Sequence, residues 1–137
     1  MASGTVYPYT LPEPCTVEGE VVGGKRLGRT LGFPTANLAL DSGADIRHGI
    51  YASRVRVGDE WYFAVSNVGV RPTVDGDTVN CETHVIDYEG DLYGRRIQVS
   101  LIALLRDETR FSSVEELKLA IEGDVRRAVS YFENGVK

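Results

Sequence analysis

Cysteine is scarce in this sequence: Cys15 and Cys81 are the only two in 137 residues. Their separation matches neither a CxxC motif nor a disulfide framework, which argues against structural zinc and fits two free thiols in a reducing compartment. A basic excess is also lacking. Lys and Arg number 15 against 20 Asp and Glu, leaving a net charge of −5. The overall field therefore repels phosphate backbones and anionic membranes, and any bound anion must be held by a local cluster. Neither nucleic acid nor a membrane is expected as a partner. No apolar run approaches the roughly 20 residues that span a bilayer, and no secretory pattern opens the chain. A cytoplasmic protein is the expectation. Repeats and low-complexity tracts are missing too, and a hydrophobic content of 42% at this length suits one domain around one core.

What is present is mostly strand pattern. Residues 1–14, MASGTVYPYTLPEP, hold three prolines and little periodicity, and read as an extended N-terminal arm ahead of a domain over 15–137. Period-2 alternation begins at Cys15–Val22 and resumes at Ile50–Val57, where Tyr51, Val55 and Val57 oppose Arg54 and Arg56. Gly58-Asp59 signals a hairpin into Glu60–Val68, in which Trp61, Phe63 and Val65 alternate. Two further strands are predicted at Val79–Tyr88 and Arg95–Leu105, the latter with Ile97, Val99, Leu101 and Ala103 on its inner side. The period then changes: Val114, Leu117, Ile121, Val125, Ala128 and Phe132 form one stripe of a helix. Ser112 or Ser113 with Glu115 or Glu116 gives it a capping-box start, and Gly135 a stop. Five or six strands followed by one helix predict an antiparallel barrel or sandwich with the helix on one side.

Chemistry is suggested at three places. Gly23 to Thr30 falls one residue short of a P-loop, but Gly32 and Pro34 stand where the obligatory helix should begin, so a Walker site is rejected. Lys25, Arg26 and Arg29 nonetheless cluster beside glycines that permit close approach of an anion, or else form a plain basic surface loop. Pro34-Thr35-Ala36-Asn37 offers a hydroxyl and an amide carbonyl two residues apart, hard oxygen donors suited to Mg²⁺. The same pattern also describes a turn closed by a side-chain hydrogen bond. On the strand Cys81-Glu82-Thr83-His84, residues 82 and 84 share a face, which fits general-base work, a metal pair, or merely a polar outer surface. Asp87–Asp91 fails calcium-loop spacing and reads as a turn, and His48 reads as a loop residue.

Several segments together carry a family resemblance: Gly32-Phe-Pro-Thr-Ala-Asn37, Gly49-Ile-Tyr-Ala52, Asn67-Val-Gly-Val-Arg-Pro-Thr73, Glu82-Thr-His84, Leu92-Tyr-Gly94 and Leu105-Arg-Asp-Glu108. In order and spacing they resemble the riboflavin kinase family, in particular the kinase module of bacterial bifunctional riboflavin kinase/FAD synthetases, over Cys15 to Phe132. The resemblance implies a mainly β fold, a six-stranded antiparallel Greek-key barrel with a C-terminal α-helix, over a riboflavin kinase domain at 15–137. It implies an ATP:riboflavin 5′-phosphotransferase that makes FMN and ADP with Mg²⁺.

Carried over residue by residue, Thr35 and Asn37 would bind the metal of MgATP and Glu82 would be the catalytic base at the flavin hydroxyl. Gly24, Lys25 and Arg29 would contact the nucleotide phosphates, and Tyr93 would lie near the adenine. Arg106, Asp107, Glu108 and Phe111 match the flavin side. Partners would be riboflavin/FMN and ATP/ADP, and the chain resembles one part of a longer protein with an FMN adenylyltransferase domain, whose own nucleotide motif is absent from these residues. A chain of this kind would make FMN and stop. The rival expectation is a non-catalytic flavin- or nucleotide-binding module.

Overall fold

The computed structural model describes residues 6–22, 35–40, 45–73 and 76–135. Among the described residues six strands, β1 (Tyr9–Glu20), β2 (Thr35–Leu40), β3 (Gly49–Val57), β4 (Glu60–Thr73), β5 (Gly76–Val85) and β6 (Arg96–Arg106), precede one helix, α1 (Val114–Gly135). All pairings are antiparallel, in the order β1-β6-β3-β4-β5-β2. The two edges approach at one bridge, where Val22 N–H donates to the Asn37 carbonyl at 2.9 Å. No continuous β1–β2 ladder is present among the described residues. The expected antiparallel sheet with a C-terminal helix is thus observed.

Alternation sorts each strand into two faces. The inner face gathers Leu38, Tyr51, Val55, Val68, Val85, Val99 and Leu101 into the larger core. Buried polar atoms cross this core without being orphaned: Ser53 Oγ meets Ser66 Oγ at 2.8 Å, and Ser66 Oγ meets Thr83 Oγ1 at 2.8 Å. Cys81 lies beside them, fully buried, and burial pushes its thiol up to about 11, the behaviour of a core residue rather than a reactive one. The outer face gathers Ile50, Ala52, Val65, Ala103 and Leu105 under Ala128 and Phe132 of α1.

Several expectations shift. The strand β1 starts at Tyr9, inside the expected arm, and Tyr9 and Thr10 pair with Leu104 and Ala103 of β6; a register break between Thr10 and Cys15 on this edge strand accommodates Pro12 and Pro14. Thr35 to Asn37, which the sequence also allowed as a turn after Pro34, lie in the strand β2. Trp61, Phe63 and Val65 alternate as expected, on the face away from the larger core: Tyr62, Ala64 and Val68 face that core, while Phe63 stacks on Phe132 with ring centres 4.2 Å apart. Ala103 sits under the helix because a register shift between Ala52 and Ser53 reverses the alternation, turning Leu104 inward instead. The helix begins as expected. Ser113 Oγ accepts the Glu116 N–H at 3.1 Å, and the Glu116 carboxylate accepts the Ser112 N–H at 3.0 Å, which holds that carboxyl below its ordinary pKa. Val114, however, is exposed rather than part of the buried stripe.

Candidate functional site

The outer face of β2, β5 and β4 builds the site. Antiparallel register sets Thr35 opposite His84 and Asn37 opposite Glu82, and on the other side of β5 it sets Glu82 opposite Asn67 and His84 opposite Val65. Two motifs some 45 residues apart in sequence thereby become neighbours through backbone pairing alone. Ala36 and Leu38 point into the core, which obliges Thr35 and Asn37 to the outer face. Both alternatives left open by sequence now have a geometry: the Thr35–Asn37 pair lies on a strand, and Glu82 and His84 share a surface with it.

His84 is buried beneath α1, 5% exposed, and burial lowers its pKa to about 4 against the pull of Asp124. The imidazole is therefore neutral near pH 7. Its Nδ1 lies 3.3 Å from Thr35 Oγ1. Asn37 is also buried, and its Oδ1 accepts a hydrogen bond from Asn80 Nδ2 at 2.9 Å. A hydroxyl and a carboxamide oxygen on one face, with the partly buried Glu82 carboxylate across the ladder, form a hard, oxygen-rich donor set that fits Mg²⁺. No group of three or more His, Cys, Asp or Glu residues converges for a metal among the described residues. A metal held by Thr35 and Asn37 would need most of its ligand charge from a nucleotide's phosphates.

Beside Glu82 lies a cavity of about 130 Å³ lined by Asn67, Gly69, Val70, Asn80, Glu82 and Glu108. Glu108 arrives from the segment after β6. A Cβ on Gly69 would collide with the Glu108 carboxylate as placed here, so glycine admits this side chain. Two carboxylates line one small space, which favours a ligand rich in hydroxyl donors or a cation between them. Asn67 Oδ1 is buried in that lining without a hydrogen-bond partner among the described residues. An orphaned acceptor of this kind calls for an explanation, and a donor on a bound ligand supplies one.

Other expected residues distribute as follows. Gly24, Lys25 and Arg29 lie outside the described residues. Tyr93 is exposed on a turn whose Gly94 N–H donates to the Val21 carbonyl, one residue before the Val22–Asn37 bridge. Arg106 ends β6 and lies 5.8 Å over the Phe111 ring. Asp107 turns away to the N-terminal side, accepting from Arg47 at 3.0 Å and from Tyr7 OH at 3.0 Å. Asn67, Asn80 and Asp124 were not singled out from the sequence. Asn67 lay inside a quoted motif, but only register shows it beside Glu82.

The fold and site together define an antiparallel β domain with one packed helix, presenting a hydroxyl, a carboxamide and a carboxylate on one outer face. The Flavokinase family model, riboflavin kinase, matches residues 11–132. The bifunctional riboflavin kinase/FMN adenylyltransferase of Escherichia coli K12 is 44% identical over 123 residues, covering 89% of this chain and 39% of that protein. A solved Streptococcus pneumoniae structure described as a macrolide-efflux protein is 34% identical with a TM-score of 0.74, covering 84% of this chain and 38% of the other. Riboflavin kinase from Trypanosoma brucei superposes with a TM-score of 0.59 at 24% identity, covering 89% and 82%, and shows a shared fold. The chain belongs to the riboflavin kinase family. It spans about two fifths of the length of the curated relatives it matches first, at 41% and 39%. Among the described residues no helix is long and apolar enough to cross a membrane.

Proposed function

We propose that this chain transfers the γ-phosphate of ATP to the 5′-hydroxyl of riboflavin, giving FMN and ADP. The observation that carries the reading is the register of β2 on β5, which sets Thr35 and Asn37 directly across from His84 and Glu82. Phosphoryl transfer asks the protein mainly for positioning and charge neutralisation, with an acceptor for one proton. Thr35 and Asn37 would hold Mg²⁺, which supplies charge neutralisation at the nucleotide phosphates when bound. Glu82 accepts the hydroxyl proton. A carboxylate is a much weaker base than an alkoxide, so it takes the proton only as the new P–O bond forms. Asn67 and Glu108 line the space beside it and suit the hydroxyl-rich chain of the acceptor.

Lys25 and Arg29, with Gly24, contact the phosphates in this reading, Tyr93 borders the adenine, and Arg106 and Phe111 face the flavin. Asp107 is the weakest of these assignments, since Arg47 and Tyr7 already occupy it. The chain acts in the cytoplasm and corresponds to the kinase part of a longer protein that carries an FMN adenylyltransferase. Incubation with riboflavin, ATP and MgCl₂, followed by chromatography, tests the reading: FMN without FAD is expected, and absence of FMN overturns it.

A further inference from the structure

Asp124 is a charged residue in the middle of α1 whose side chain is only 3% exposed. A buried carboxylate is costly unless it is paired and hydrogen-bonded. Asp124 is paired twice. Arg106 donates to it in a fork, Nε to Oδ1 at 2.9 Å and Nη2 to Oδ2 at 2.8 Å, and Arg127 Nη2 donates to Oδ1 at 2.8 Å. Arg127 reaches back past Gly123, where a Cβ would stand 3.3 Å from its Nη2.

The fork on Arg106 has consequences down the chain. With two of its nitrogens fixed by Asp124, Arg106 uses Nη1 to donate to the Asp107 carbonyl at 3.1 Å and lies over the Phe111 ring. The main chain just after β6 and the aromatic that follows it are thus both held by one guanidinium. Glu108, one residue further, reaches Gly69 and the cavity beside Glu82. We infer that Asp124 is a positioning residue for the acceptor: by locking Arg106 in a two-pronged pair it presets segment 107–111 on the flavin side of the site. Asp124 touches neither substrate in this scheme and acts through Arg106.

The inference rests on the riboflavin kinase reading for its kinetic test, and a second readout is independent of that reading. Asp124→Asn keeps the volume and removes the charge. It is expected to raise the riboflavin KM about tenfold, as loss of a charge-assisted pair does, while the ATP KM moves less than about threefold. Asp124→Glu should recover part of the loss. The double variant with Arg106→Ala should be no worse than Arg106→Ala alone, because both act through one contact. Equal changes in both KM values, or additive losses, would overturn the inference.

Hydrogen exchange in the substrate-free protein supplies the readout that a flavin contact alone would not move. Asp124→Asn, or Arg106→Lys should the first variant not fold, is expected to speed exchange at amides 107–111. Unchanged exchange there would overturn it. Wild-type chain that makes no FMN sinks the kinase reading, whereas active wild type beside Asp124→Asn with a normal riboflavin KM sinks this one.

Discussion

The two halves of the site are held by different physics. In the half proposed to hold the metal, the nucleotide and the base, Thr35, Asn37, Glu82 and His84 stand on paired strands, and their mutual placement follows from backbone register. In the half proposed to hold the flavin, Arg106, Glu108 and Phe111 belong to the end of β6 and the segment after it, where the Arg106 guanidinium forks onto Asp124. A ladder of backbone bonds leaves side chains free to change without moving the frame, whereas a segment tied by side-chain pairs moves when one partner is lost. Substitutions on the first half should therefore damage chemistry and metal-nucleotide binding at a preserved geometry. Substitutions in the second should alter the geometry itself.

The largest effect expected is on turnover. Glu82→Gln removes the proposed base but keeps the shape of the side chain, and should lower kcat by about 10² to 10⁴ with both substrates still bound. Loss of riboflavin affinity instead of kcat would move Glu82 to the binding half. Next, Asn37→Ala should raise the ATP KM about tenfold while the riboflavin KM moves less, read from initial rates at varied MgATP. If both KM values rose together, the separation of the halves would fail.

A smaller effect concerns stability. Because His84 titrates near 4 in the folded protein against an ordinary value of 6.5, the unfolded chain binds the extra proton between these limits. Stability is full above about pH 6.5 and declines as the pH falls toward 4, by about 2 kcal/mol between pH 7 and pH 5 from this group. Urea midpoints for wild type and His84→Gln should diverge in that slope, and parallel slopes would contradict the burial assigned to the ring. The smallest effect is expected at Asp107. Its ion pair with Arg47 is exposed, 64% and 49%, so Asp107→Asn should cost less than about 1 kcal/mol and leave the riboflavin KM within about twofold. A large KM change would return Asp107 to the flavin side.

Local signals were legible in the sequence and distant ones were not. Gly58-Asp59 marked the β3–β4 hairpin, where Gly58 takes φ 63, and the Ser113–Glu116 box marked the helix start. The strand β2 was hidden because its six residues follow Pro34 and show little alternation: Ala36, Asn37 and Leu38 are all buried. The alternation of Trp61, Phe63 and Val65 was legible, but which face they take was not, because a helix covers part of the outer face and makes both faces of β4 apolar. Thr35, Asn37 and Glu82 could be named from their motifs, yet their adjacency needed the β2–β5 register. Asp124 gave no sequence signal beyond a charge in a helix. Its partner Arg106 is 18 residues away, across a change of element.

The most direct test is a stoichiometric one: riboflavin, ATP and MgCl₂ incubated with the chain, with ADP release and FMN measured in the same sample. One ADP per FMN is predicted, absent without riboflavin and lost in Glu82→Gln while that variant still quenches flavin fluorescence. Wild-type protein that binds riboflavin and ATP but releases no FMN would contradict the account and leave a binding module in its place.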